Sequence, residues 1–406
     1  FLPYFRRGNM TSAYEFLEQR YGPSIRVYGA VAFLVAQIVR LAMILWLLSL
    51  LIQQGTDLSP ATAIVLGGLF VGLYTVIGGI DAVIWTDVLQ TVVLLLGGLL
   101  CLWVVLEALP GGLGQIFDQA GKAGKFALAP WEDGAPGETS WSLSLSEKTA
   151  TMMLLIGLTN WLTEYSSNQN TVQRYCASQS TAEARKGLWV YLLTALPIWA
   201  FYMFLGTALW VFFQVYPDVQ AGAILSGEAR AETLMPYFIT NYLPAGVAGL
   251  VIAAALAAAM SSLDSSINSV TTVSVVDLYR RHFYPGKDDR HYLKVAWGIA
   301  VAVTGLMIAG ALWMNEADTK TLQDTSTILV SLLGGGMLGL YLLGFFSRRG
   351  DARAAWCGII CTLLFTGWTI LTNKGLLPEA LSAPFDLYYT GLIGNLLMFA
   401  VGYLSA

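Results

Sequence analysis

The sequence predicts an all-α integral membrane protein of about ten transmembrane helices, forming one polytopic domain over residues 1–406. Two observations carry the prediction. The chain is 56% apolar and only 12% charged, with mean hydropathy +0.62, far too apolar for a soluble domain. Apolar runs longer than 18 residues recur along it, and that is the length a helix needs to cross the hydrocarbon core. The same composition excludes other classes. In so apolar a chain the net charge of −4 says little about partners, and no nucleic-acid partner is expected. Cys101, Cys176, Cys357 and Cys361 show neither metal-ligand spacing nor a disulfide framework. No nucleophile–base set appears, so the chain is not read as an enzyme.

The elements follow in order. FLPYFRR at 1–7 reads as the last turn of a preceding helix with a basic anchor, so an upstream portion is expected. Residues 10–21 read as a short amphipathic loop helix. Spans are expected at about 24–53, 59–79 and 82–109; Gly68 and Gly72 give the second a small-xxx-small face, and Gly78-Gly79 ends it. The stretch 110–147 is polar and rich in Gly, Pro and Trp, and its Trp131 and Trp141 suit a membrane interface. The fourth and fifth spans are expected at about 148–167 and 187–216. In the loop 217–244, Leu234, Phe238, Ile239 and Tyr242 make an apolar face, which predicts a helix lying on the membrane surface. The last five spans are expected at about 245–276, 292–314, 325–347, 353–373 and 385–405. In the eighth, Gly334-Gly335-Gly336, Gly339 and Gly344 suit either a kinked helix or tight packing.

Alternating the sides of ten spans places fifteen basic residues on the side of Arg7 and six on the other. By the positive-inside rule both chain ends are cytoplasmic in a cell membrane, and the loops 110–147 and 217–244 are extracellular. Arg40 belongs to neither side, because it lies within the first span.

The most informative stretch runs from Ala253 to Ser269. Ala258, Ser261, Ser265 and Asn268 recur at helical spacing on one stripe, Ser262 flanks it, and Asp264 joins it. An aspartate at the centre of a membrane helix costs roughly 2.5–3.5 kcal/mol on insertion scales. Neutral oxygens with one carboxylate suit a hard monovalent cation such as Na+, and alanines let a neighbouring backbone approach; serines and alanines also glue helices together. The other ionisable groups within spans are Arg40, Asp87 and Glu164. Asp87 reads as a cation ligand or as an acid capping the start of the third span. Glu164 lies in Asn160–Asn170, a polar, aromatic segment that predicts a broken or cavity-lining helix. Arg40 suits an anionic substrate group, or neutralisation by Glu164 or by carbonyls.

Several stretches resemble the sodium:solute symporter family, which includes sodium–glucose, sodium–sialic acid and sodium–iodide transporters. They are TSAYEFLEQRY at 11–21, YTVIGGIDAVIWTDVLQ at 74–90, NQNTVQR at 168–174 and the serines at 261–269. Four motifs in the right order over essentially the whole chain make the resemblance specific. It implies the LeuT-type inverted-repeat fold with alternating access, the ten spans being core helices 3 to 10 and two peripheral ones, with core helices 1 and 2 upstream. It implies a sodium site on the Ala258 carbonyl and the Ser261 and Ser262 hydroxyls, completed by core helix 1. It implies a second sodium site on Asp87, Ser261 and Ser265, where Asp264 replaces a third serine. It places Arg40 at a substrate carboxylate, Glu164 at a gating tyrosine's position beside Tyr165, and Trp161 where a sugar-binding amide would be, which argues against a simple sugar pocket.

The expected function is sodium-coupled import of a small polar solute, a sugar, sialic acid, amino acid or carboxylate, across a lipid bilayer. Gln37, Arg40, Trp161, Glu164 and Tyr165 are the candidate lining between the first, fourth and eighth spans. The alternatives are a proton-coupled carrier titrating Glu164 or Asp264, and a symporter-like membrane sensor.

Overall fold

The computed structural model describes residues 1–7, 10–127, 131–132, 135–136, 138–316, 335–348, 350–373 and 375–406. Two short helices, α1 (Leu2–Arg7) and α2 (Ala13–Tyr21), precede the long α3 (Pro23–Gly55). The start of α2 is fixed by a capping box, in which the Ser12 hydroxyl accepts from Tyr14 N–H at 3.1 Å and the Glu15 carboxylate accepts from Ser12 N–H at 3.2 Å. Tyr14, Phe16 and Leu17 are buried, and Phe16 stacks on Tyr341, so this loop helix is a wedge in the core. Gly22 joins α2 to α3 at φ +94°, a backbone that favours glycine, and Pro23 opens the next helix.

The following element, α4, is helical from Pro60 to Ala108, and its two apolar stretches, 60–78 and 83–108, are each of bilayer length. Its second half runs antiparallel to α11 (Ala245–Val273), with Gly97 against Ala254 and Asp87 against Ser261. A straight continuation would carry Tyr74 about 20 Å past Asp87, level with Ser274. Tyr74 instead hydrogen-bonds to the Met260 carbonyl and to Asp264. The element is therefore sharply bent between Tyr74 and Asp87. The expected end of a span at Gly78-Gly79 falls in this interval, within one helical element. Gly68 and Gly72 seat the first half on α12 (Asp289–Glu316): a Cβ at Gly68 would come within 2.5 Å of Ile308, and one at Gly72 would strike Thr304.

The loop 110–147 contains α5 (Gly112–Lys122) and a two-residue hairpin, Trp131–Glu132 with Ala135–Pro136. The Trp131 side chain lies outside the described residues. Next come α6 (Ala150–Ser167), α7 (Gln169–Ala177) and α8 (Thr181–Val215). The polar fourth span does break: Asn168 ends α6, and its side chain caps α7 by accepting from Asn170 N–H at 3.0 Å. The loop 217–244 folds as α9 (Val219–Leu225) and α10 (Leu234–Tyr242). The expectation that α10 lies on the membrane surface is corrected. Phe238 and Ile239 are buried, and Phe238 packs edge-on against Phe212 and Phe213 of α8. The apolar face found a protein partner, which its periodicity could not distinguish from lipid.

Beyond α11 the helix continues with π hydrogen bonding over Ser274–Phe283. The chain closes with α13 (Met337–Phe346), α14 (Ala352–Asn373) and α15 (Thr390–Leu404). Residues 325–334 of the eighth expected span lie outside the described residues, and Gly334 with them. Gly336, Gly339 and Gly344 are packing glycines: the Gly339 N–H donates to Asn395 Oδ1 at 2.9 Å, and Cβ atoms at Gly336 and Gly344 would crowd Thr362 and Phe16. Among the described residues eight helices are long and apolar enough to cross a membrane. The ten expected spans are not all met, because α6 is too polar and only residues 335–347 of the eighth span are described. Outward faces are apolar: Leu73, Ile77, Trp85 and Leu89 of α4 and Leu196, Trp199 and Met203 of α8 are all more than half exposed. Continuous apolar surface of this size implies a nonaqueous surround.

The ends of the helices sort into two poles. At one, Arg6 donates to the carbonyls of Tyr175, Cys176, Ser178 and Gln179, which closes the C-terminus of α7. There too Arg20 donates to Ser347 and Gly350 carbonyls, and Arg26 sits between Glu18 at 2.5 Å and Asp277 at 2.7 Å. At the other pole, Asp218 caps α9 and accepts from the Tyr237 and Tyr242 hydroxyls at 3.0 Å, and Tyr389 donates to the Ser144 carbonyl.

Candidate ion and solute site

The serine stretch lies mid-way along α11, where this helix packs against α3, both halves of α4, and α12. Ala258, Ser261 and Ser262 share a half-buried face. Ser261 donates its hydroxyl to Asp87 Oδ1. Ser262 makes no hydrogen bond to any described residue, so its oxygen is uncommitted. One turn on, Ser265 donates to Asp87 Oδ2 at 3.4 Å. Asp87, Ser261 and Ser265, 174 and 178 residues apart along the chain, thus meet in one oxygen cluster. The capping alternative for Asp87 does not describe it, since α4 starts at Pro60 and Asp87 lies well inside the helix.

Asp264 does not join that cluster. Its side chain is fully buried and turns to Tyr74, whose hydroxyl donates to Oδ2 at 3.0 Å; Oδ1 has no partner. Asn268, one turn further, holds an equally unpartnered buried Nδ2. Sequence reasoning singled out Asp264 and missed Tyr74, although Tyr74 opens the recognised 74–90 motif.

A guanidinium completes the cluster. Arg174 of α7 places Nη2 2.9 Å from Asp87 Oδ2 and 3.4 Å from Ser265 Oγ. The sequence reading quoted Arg174 as part of a motif and gave it no role, because ninety residues separate it from both partners and only the packing of α7 beside α11 brings it in.

The solute candidates fall on two walls. On α3, Gln37 is buried with an unpartnered Oε1, and Arg40, three residues on, is exposed. No hydrogen bond or ion pair joins Arg40 to any described residue. The expected neutralisation by Glu164 is absent, because Glu164 is satisfied across the α6–α7 break: it accepts from Asn168 Nδ2 at 2.7 Å and from the Thr171 hydroxyl at 2.8 Å. Local partners at i+4 and i+7 win over a distant cation, since the broken helix holds them in reach. On the other wall, Trp161 stacks on Tyr165 at 5.6 Å, and the pair meets Tyr191 and Trp199 of α8. Tyr165 keeps a buried hydroxyl without a partner, as does Asn170 its Oδ1. Tyr191 lies within electrostatic reach of both Arg40 and Glu164.

In a bilayer an unsatisfied polar group costs several kcal/mol. Gln37, Tyr165, Asn170, Asp264 and Asn268 all carry such atoms, and they lie on α3, on α11 and about the α6–α7 break. That arrangement suits the binding of polar cargo and of a hard cation by oxygen ligands. Among the described residues no group of His, Cys, Asp and Glu has a transition-metal geometry.

Fold and candidate site have the character of a polytopic helical carrier, with partnerless polar groups at broken or closely packed membrane helices. The model of the sodium:solute symporter family matches residues 1–362, and the chain belongs to that family. It is 30% identical to the sodium/sialic acid symporter SiaT of Proteus mirabilis, over all of this chain and 77% of that protein. It is 29% identical to the sodium/sialic acid symporter NanT of Aliivibrio fischeri, over all of this chain and 75% of that one. Among solved structures it is similar to the substrate-bound outward-open state of a Na+-coupled sialic acid symporter, with a TM-score of 0.84 and 28% identity, covering all of this chain and 78% of that chain. The protein is a multi-pass membrane transporter of the LeuT-like fold, a sodium-coupled symporter of a small-molecule solute and not an enzyme.

Proposed function

We propose that the protein uses the inward sodium gradient to import a small organic anion whose carboxylate binds Arg40. The observation that carries this is the state of Arg40: a charged side chain inside a 31-residue apolar span, exposed and without a partner among the described residues. Such a charge is costly in a membrane unless it faces a cavity or meets an anion, and a guanidinium matches a carboxylate bidentately. The relatives named for sialic acid, itself a carboxylate, support the class. Gln37 supplies an amide on the same helix face, and Trp161 and Tyr165 supply an aromatic wall. Glu164 positions Asn168 and Thr171 rather than touching the solute.

Sodium, as co-transported substrate, is held first by the Ala258 carbonyl with the Ser261 and Ser262 hydroxyls, and second by Asp87, Ser261 and Ser265. The free hydroxyl of Ser262 and the convergence of the Ser261 and Ser265 hydroxyls on Asp87 fit an oxygen-seeking cation. The pole of Arg6, Arg20, Arg26 and Arg281 faces the cytoplasm of a cell membrane, and the loops 110–147 and 217–244 face outside.

The test uses the full-length protein in detergent and in proteoliposomes. Melting temperature is measured while sodium is titrated against potassium at constant ionic strength, and carboxylates, sugars and amino acids are then screened in sodium. A sodium-specific rise, with carboxylates stabilising only in sodium, is expected. Equal behaviour in sodium and potassium overturns the ion assignment; stabilisation by neutral sugars alone overturns the solute class. One observation favours a second reading, proton coupling: Asp264 is fully buried, accepts from the Tyr74 hydroxyl and has no counter-ion in hydrogen-bond contact among the described residues. Uptake indifferent to sodium and driven by a pH gradient selects it.

A further inference from the structure

The cluster on Asp87 is already electrically closed. One acid meets one base, and the two serine hydroxyls complete the carboxylate's hydrogen bonds. The nitrogen that does this is not placed beside the oxygens proposed for the second sodium; it holds two of them. Arg174 Nη2 touches Asp87 Oδ2 at 2.9 Å and Ser265 Oγ at 3.4 Å, and Ser265 Oγ in turn touches that same Asp87 oxygen at 3.4 Å. A sodium ion taking these oxygens would sit against a guanidinium on a single carboxylate, two cations for one anion. We infer that Arg174 is a tethered cation that replaces sodium at Asp87, Ser261 and Ser265, so that the ion and the guanidinium bind there alternately.

Three features of the surroundings fit an exchange rather than a fixed structural pair. The Arg174 side chain is 55% exposed while that of Asp87 is 18% exposed, so the base can swing into water while the acid stays in place. A half-exposed pair is weak enough to open without unfolding anything. The permanent pairs of the molecule differ: Arg26 is buried between Glu18 and Asp277. In addition, Arg174 is carried by α7, the short helix after the break at Asn168, whose far end is gripped by Arg6. Whether Arg174 is docked or released therefore changes how α7 is tied to α4 and α11. Sodium leaving the second site would be replaced by the protein's own charge, which neutralises Asp87 and draws α7 against α11. The exchange gives the carboxylate a counter-charge in both loaded and empty states, which a membrane-embedded acid requires. It assigns Arg174 to ion release and not to solute binding.

This inference rests on the ion-site reading above, and its test separates the two. The probe is sodium alone, titrated against potassium, with melting temperature as the readout. Arg174→Gln removes the competing charge, so half-saturating sodium should fall about two- to five-fold, the range expected for a half-exposed ion pair. Arg174→Lys keeps the charge and should stay near wild type. Asp87→Asn/Arg174→Gln should show no gain over Asp87→Asn. A second measurement needs no variant: phenylglyoxal labelling of the wild-type protein, read by mass spectrometry. Sodium should raise modification of Arg174 several-fold over potassium, with Arg281, held by Glu18 at 2.6 Å, as the unchanged control. Unchanged sodium affinity in Arg174→Gln, or equal labelling in the two salts, overturns the exchange while leaving the sodium sites standing. No sodium-specific stabilisation in the wild type overturns the site assignment and the exchange with it.

Discussion

At Ser262 the hydroxyl is the one serine oxygen of the proposed first sodium site that no other residue uses. Removing a ligand to a charge costs about 1.5–3 kcal/mol, so Ser262→Ala should weaken sodium activation of uptake about ten- to hundredfold. Arg40→Ala should raise the solute KM by a similar factor and leave sodium affinity unchanged, with Arg40→Lys between; uptake kinetics at varied sodium separate the two. Glu18 offers a pH test outside the membrane spans. The Arg281 hydrogen bond, aided by Arg26 and opposed by burial, holds its carboxyl below the usual value. A depressed carboxyl stabilises the fold above its unfolded pKa, about 4.3, and that share is lost as pH falls through the lower folded value. The melting temperature of wild type should therefore fall more steeply below pH 4.5 than that of Glu18→Gln. A charge-free Arg26→Met variant leaves Asp277 buried and unpaired, and should cost about 3–5 kcal/mol, read as earlier loss of the monodisperse size-exclusion peak on heating. The sequence shows these charges, but Arg26 and Asp277 are 251 residues apart, so nothing local announces the pair.

At the scale of the element, glycine spacing decides how the helices meet. Gly68 and Gly72 are legible as a small-residue face, and the face is used, but only the packing names Ile308 and Thr304 of α12 as its partners. Gly72→Leu should separate α4 from α12 and lower stability by about 1–3 kcal/mol, measured as a drop in detergent melting temperature, while Gly246→Ala, with open space around it, should change little. The break between α6 and α7 was legible for a different reason: a run of Asn, Thr, Glu and Ser cannot face lipid. Its consequence for Glu164 was not legible, since the acid's partners depend on the angle at which α7 leaves Asn168. The bend within α4 was read as the end of a span because two glycines look the same in either case.

For the whole molecule, the basic residues gather at one pole with the α7, α11 and α13 termini, and the loops 110–147 and 217–244 gather at the other. Single cysteines at Lys122 and at Arg281, in a background without native cysteines, should therefore label from opposite sides of intact cells, Lys122→Cys from outside and Arg281→Cys only after permeabilisation; labelling on one side for both overturns the topology.

Composition and periodicity by themselves determined a helical membrane protein, most of its spans, its two loops and the polar serine stretch within an apolar span. These features are legible because hydrocarbon imposes length and apolarity on each span separately. The motif resemblance added the family and named Asp87, Ser261 and Ser265 as one group. Only the tertiary structure decided which charges meet: Arg174 with Asp87, Tyr74 with Asp264, Glu164 with its own helix break, and Arg40 with none of them. Electrostatic and hydrogen-bond partners act over a few ångströms in space, and in this fold those few ångströms join helices that lie 80 to 250 residues apart in the chain.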